Sequence, residues 1–208
     1  MFVTIKENIS AEIIEKKSKF IANLVKVEDK IQVENEISKI KKKYHDARHN
    51  CIAYRIITKE GVIEKSSDDG EPSGTAGMPM LNILQKNNLC NILIVVTRYF
   101  GGILLGTGGL VRSYSKATEK VLLDEDCIFK DIGLEVKFYV SYSDLEKIKY
   151  YFEKNNIKIL NTNFKENVEI IFEILEKKLN DILKNKQNLN FNIIESVILK
   201  EKYIEICV

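Results

Sequence analysis

Asn91-Ile-Leu-Ile-Val-Val-Thr97 is the longest apolar run in the chain, and Arg98-Tyr-Phe-Gly-Gly-Ile-Leu-Leu-Gly-Thr-Gly-Gly-Leu-Val-Arg112 follows it without a break. A short, uninterrupted and β-branched run of this kind reads as a strand covered on both faces, here spanning Ile92–Arg98. Five glycines then fall between Gly101 and Gly109. They let the backbone turn sharply and approach another group closely. A helix is expected to open near Leu110, with Leu110, Tyr114, Ala117 and Val121 spaced as its inner face. The unpaired N–H groups of such a helix start attract anions such as phosphate. Arg98 at the strand end, with Arg112 and Lys116 one turn apart on the helix, suits the same anion. The candidate anion-binding set is therefore Arg98, Gly101, Gly102, Gly106, Thr107, Gly108, Gly109, Arg112 and Lys116. No Gly-Lys-Ser/Thr follows and no GxGxxG frame fits, so no nucleotide cofactor is expected.

The charge pattern points to the same place. The net charge is only +2, too small for a strongly basic nucleic-acid binder. Yet no Asp or Glu occurs between Glu71 and Glu119, where an even spread of the 30 acidic residues would put about seven. Burial explains the missing acids but not the bases that remain, Lys86, Arg98, Arg112 and Lys116.

Outward from this centre, the 208 residues suit one large domain or two small ones. No apolar run approaches the roughly 18 residues of a membrane helix. Met1-Phe-Val-Thr-Ile-Lys6 lacks the basic and apolar regions of a secretory signal, so a cytoplasmic location is expected. Cys51, Cys90, Cys127 and Cys207 form no CxxC, which argues against a disulfide framework and against a zinc ribbon.

The first 27 residues alternate as two or three strands ending in Phe20–Val27. Asp29 then caps a helix, with Gln32 at the capping-box position and Val33, Ile37, Ile40 and Tyr44 as one apolar stripe. Cys51–Ile57 is a strand, Gly61 a hairpin turn, and residues 66–74 a polar loop. A short helix follows, with Pro79 in its first turn. The pattern changes near Asp131–Gly133, giving domains at 1–133 and 134–208. Beyond it, strands and helices recur in the order β-α-β-β-α-β of a ferredoxin-like domain. That domain carries twelve basic and twelve acidic residues, and no histidine or arginine. It reads as a docking or packing unit. The fold class is α+β throughout.

The loop Asp68-Asp-Gly-Glu71, with Ser73 beside it, has carboxylates for a cation or for acid/base work. Asp-Gly and Pro-Ser-Gly are equally ordinary turn chemistry. His45 and His49 are four apart, but a third ligand is not evident and no metal is expected. Cys51 reads as a small buried residue. Lys41-Lys-Lys43 reads as a solvated helix face.

Arg98–Arg112 as quoted also resembles the signature of the YigZ/IMPACT family. The likeness extends to Lys17-Ser-Lys-Phe20, Ala47-Arg-His-Asn-Cys51, Ser67-Asp-Asp-Gly-Glu-Pro-Ser-Gly-Thr-Ala-Gly77 and Pro79-Met-Leu81. It implies a first domain of the ribosomal-protein and RNase-PH type and a ferredoxin-like second domain resembling the last domain of elongation factor G. It also implies a stress-response link, because eukaryotic members restrain an amino-acid-starvation kinase and so affect translation initiation. Bacterial members have no settled activity.

Three readings follow. One is a translation-linked regulator whose Arg98, Arg112, Lys116 and glycine-turn amides contact RNA phosphates, with Tyr99, Phe100 or Tyr114 stacking a base. RNA, the ribosome or a translation factor is the expected partner, and the second domain offers a protein-docking surface. A second is a small hydrolase or transferase for a phosphate- or carboxylate-bearing substrate, with His49 or Asp69 as acid/base. The third is a purely protein-binding regulator. Catalysis is not the expected reading, and no cofactor is expected.

Overall fold

Strand β6 (Ile92–Tyr99) is buried along nearly its whole length. A computed structural model describes residues 1–58, 60–123 and 127–206. The cysteine expectation for Cys207 and the last residues of the final strand lie outside them. Two compact units divide at Ile128/Phe129, with Met1 grouped in the second.

In the first unit β6 is the centre of an antiparallel sheet ordered β2-β3-β6-β4-β5, formed by β2 (Ile9–Glu15), β3 (Ser18–Lys26), β4 (His49–Thr58) and β5 (Gly61–Ser67). A short β1 (Phe2–Ile5) precedes it. Alternation sends Ile92, Ile94 and Val96 to one side, with Phe20, Ala22, Leu24, Met80, Leu84, Leu110 and Tyr114. It sends Leu93 and Val95 to the other, with Val25, Val33, Ile40 and Ile56. Helices α2 (Gly77–Lys86) and α3 (Thr107–Leu123) close the first side, and α1 (Lys30–Lys43) closes the second. The apolar run is therefore continuous because it has a layer on each face.

The Asp29 cap forms as expected, its Oδ1 accepting from the Gln32 N–H at 2.8 Å while Gln32 Oε1 accepts from Glu28 N–H. Three boundaries differ from the sequence reading. Helix α3 starts at Thr107, so Gly108 and Gly109 lie in its first turn. Of the five glycines of the turn, only Gly102 and Gly106 have positive φ. Ser66 and Ser67 belong to β5, where they pair with Ala53 and Ile52. Gly133, read as punctuation between domains, is a strand residue inside β7 (Cys127–Val140). A Cβ there would sit 2.4 Å from Ile204 Cδ1, so close packing explains the glycine.

The second unit continues with α4 (Leu145–Lys154), β8 (Lys158–Phe164), β9 (Val168–Ile174), α5 (Glu176–Lys184) and β10 (Glu195–Ile206). Its strands pair antiparallel in the order β10-β7-β9-β8, the β-α-β-β-α-β arrangement expected. Phe138, Phe152 and Phe172 are its fully buried centre.

Candidate nucleic-acid interface

The end of β6 carries Arg98 inward. Its guanidinium Nη1 lies 2.7 Å from Glu71 Oε1, and the two side chains are 8% and 3% exposed. Tyr114 donates its hydroxyl to the same carboxylate oxygen at 2.8 Å. The Arg98 guanidinium also lies 5.6 Å from the ring centroids of Phe20 and of Phe100. Arg98 is thus the counter-ion of a buried carboxylate and is withdrawn from the surface anion set. Tyr114 is fully buried and cannot stack a base. Among the aromatic candidates Phe100 remains, at 55% exposed. Tyr99 is partly buried, and its hydroxyl donates to Asp46 Oδ1 at 2.7 Å. That bond pushes the Tyr99 phenol up to about 12 and Asp46 below the usual carboxylate range.

The acidic loop is equally committed. Asp68 Oδ1 accepts from the N–H groups of Ala76 and Gly77, and Oδ2 from that of Gly74, all within 2.9 Å. It holds the start of α2, which has no capping side chain of its own at Ala76. Asp69, at φ 44°, receives Asn50 N–H at 2.7 Å and Lys41 Nζ at 2.8 Å. Burial pushes both carboxyls up, yet the hydrogen bonds outweigh it and both end below the ordinary value. A carboxylate held so firmly ionised is a poor general base. Gly70 takes φ 88° against the His49 ring, whose Nδ1 lies 2.9 Å from the Asp69 carbonyl oxygen. Ser73 is exposed. Among the described residues no three His, Cys, Asp or Glu side chains gather as metal ligands. Cys51 lies 3.3 Å from the Tyr114 hydroxyl, and burial pushes its thiol up to about 12. A thiol held that high is protonated at neutral pH and is no nucleophile.

Arg112 and Lys116 lie on the second and third turns of α3. Glu15, Lys16, Leu105, Gly109, Arg112, Ser113 and Lys116 line a shallow hollow of about 230 Å³. Arg112 has no ion pair among the described residues. The nearest pairing, Lys116 with Glu15 at 3.8 Å, is long and solvent-exposed. Lys16 and Lys17 form the two-residue tip between β2 and β3, both at positive φ (45° and 64°). Non-glycine residues in that conformation carry a cost. Gly101 seats this tip: a Cβ there would lie 2.0 Å from the Lys17 carbonyl carbon, and its N–H donates to Ser18 Oγ at 3.1 Å. Gly102 and Gly106 serve the turn. In the connection Phe100, Ile103 and Leu104 face solvent, Leu104 at 83%. The structure thus brings Gly109, Arg112 and Lys116 together along the first three turns of α3, with Thr107 at the helix start, and leaves Arg98, His49 and Asp69 in the buried or paired region. Lys16 escaped the sequence reading. The available signal was a two-residue link between two alternating strands, which puts its side chains at a hairpin tip.

Residues 16–122 match the Impact N-terminal domain, and residues 139–184 match a domain of unknown function (DUF1949). The chain is 39% identical over 179 residues to the IMPACT family member YvyE of Bacillus subtilis, covering 86% of this chain and 82% of that one. It is 34% identical over 163 residues to the IMPACT family member YigZ of Escherichia coli, covering 78% and 77%. A crystal structure of a hypothetical protein superposes with a TM-score of 0.62 at 28% identity, over 93% of this chain and 97% of that one. With its β-sheet first domain and β-α-β-β-α-β second domain, the molecule is a two-domain α+β protein. The chain belongs to the IMPACT family.

Proposed function

We propose that this IMPACT-family protein is a cytoplasmic, non-catalytic regulator that binds single-stranded RNA in or beside the translation machinery. The observation that carries the reading is the contrast in how the charges are used. The carboxylates of the loop are consumed by backbone N–H groups and by Arg98, whereas Lys16, Arg112 and Lys116 line one hollow between the β2–β3 tip and the first three turns of α3. A strand of RNA offers phosphates to those cations and a base to exposed Phe100. The second domain, with the fold the family resemblance relates to elongation factor G, would dock by shape. The eukaryotic family members' link to translation initiation fits the same role.

Fluorescence anisotropy on a labelled single-stranded RNA across a salt series tests this. Affinity should fall steeply with salt, and Arg112→Ala with Lys116→Ala should weaken it for every sequence. Unchanged affinity and slope in the double variant would end the RNA reading. A protein partner is the second reading, favoured by exposed Ile103 and Leu104. It predicts binding that survives salt and disappears on Leu104→Ser.

A further inference from the structure

The register of the first sheet sets exposed cations on both sides of the end of β6. On one side is the tip formed by Lys16 and Lys17, which joins β2 to β3 just before Ser18. Lys19 lies opposite Tyr99. On the other side His49 lies opposite Arg98, so Arg48, which precedes β4, stands level with Tyr99. The bond from the Tyr99 hydroxyl to Asp46 holds the segment carrying Arg48 against the same strand end. Adjacent strands run about 4.8 Å apart, so the backbone at Arg48 is roughly 10 Å from that at Lys17, across β6. Phe100 follows β6 directly, in the gap between them, and is exposed.

The two ends of this sheet use their polar side chains differently. At the far end Asn8 Oδ1 accepts from the Lys26 N–H and Asn91 Oδ1 from the Ile57 N–H, so both serve the protein's own backbone. At the near end Lys17 and Arg48 are exposed and form no ion pair among the described residues. Lys19 differs, since Glu12 lies 2.6 Å from it. An arginine presents a planar fork of donors that matches two oxygens of one phosphate, which a lysine cannot do. One charge near Arg48 works against such a ligand. The exposed Asp46 carboxyl is held below the usual range by the Tyr99 hydroxyl, and so stays ionised at neutral pH.

We propose that Arg48 is a second phosphate contact, on the far side of Phe100 from Lys16, Arg112 and Lys116, so that a bound RNA strand crosses the end of the sheet. This rests on the RNA reading and gives the strand a path. The test measures the anisotropy of a labelled oligouridylate of about twelve nucleotides, bound to the full chain over a salt series. Arg48→Gln, an exposed change whose urea midpoint should match the parent's, is compared with Lys86→Gln. Lys86 is equally exposed but lies in the last turn of α2, away from this end of the sheet. Arg48→Gln should weaken binding severalfold and flatten the log–log salt slope by roughly 0.7, whereas Lys86→Gln should leave the slope unchanged. Asp46→Asn, which keeps an acceptor for Tyr99, should tighten binding severalfold. Arg48→Gln with the parent's slope, or with no more effect than Lys86→Gln, would overturn the crossing path. If Arg112→Ala with Lys116→Ala still weakened binding in that case, the RNA reading itself would stand. A parent chain that showed no salt-dependent RNA binding would remove both.

Discussion

The loop from Asp68 to Glu71 and the rim formed by Lys16, Arg112 and Lys116 are both charged segments close to the same glycine turn, yet the fold treats them oppositely. Every carboxylate of the loop has a partner at hydrogen-bonding distance: Asp68 three backbone N–H groups, Asp69 Asn50 and Lys41, Glu71 Arg98 and Tyr114. The rim's cations share one exposed pairing of 3.8 Å. Charge that is already partnered holds the protein's own backbone in place, and charge left over is available to something else. The loop is therefore architecture and the rim is where binding is to be sought.

Arg98→Met would strike the partnered side hardest. It leaves the Glu71 carboxyl buried with its counter-ion removed, and stability measured by urea unfolding should drop by about 3–5 kcal/mol. A variant that kept its stability and lost only RNA binding would break the contrast. Gly101→Ala comes next, at up to about 3 kcal/mol, because its Cβ overlaps the Lys17 backbone. Near-parental stability there would mean that the hairpin tip is free to move. Asp68→Asn should cost about 1 kcal/mol, the usual worth of a helix cap. It should also change the acid limb. Because Asp68 and Asp69 both lie below their ordinary values when folded, their stabilisation is complete above the unfolded pKa of about 3.9. It is lost as the pH falls through the lower folded values. The parent's stability should therefore decline more steeply below about pH 4 than that of Asp68→Asn, and equal slopes would show that Asp68 adds nothing there. Smallest in stability, within about 0.5 kcal/mol, is Arg112→Ala with Lys116→Ala. Its signature is a flatter salt dependence of RNA affinity, by roughly 0.7 in the log–log slope for each phosphate no longer neutralised. A stability loss as large as that of Arg98→Met would place these cations among the partnered charges.

The layers of the first domain were legible because Ile92–Val96 has no polar interruption, and only a strand covered on both sides tolerates that. The second domain was legible from alternation in Leu134–Val140 and Val168–Ile174. The extent of the glycine turn was not. Gly108 and Gly109 have low helix propensity, and only packing of Leu110 and Tyr114 pulls them into α3. Arg98 was misplaced for a different reason. Its partner Glu71 is 27 positions away, and nothing local in the sequence distinguishes a paired arginine from a free one. Lys16 was overlooked because positive φ at a hairpin tip is ordinarily announced by asparagine or glycine, not by two lysines.

The close approach of Gly101 to Lys17 bears on kinetics. Backbone wedged against backbone leaves the lysine tip little room to rearrange, so the rim is set before any partner arrives. Under the proposed RNA reading, such a rim has few loops to order on encounter, and its association rate should be governed by electrostatic attraction. Affinity differences among its ligands should then appear mainly in how long each complex lasts.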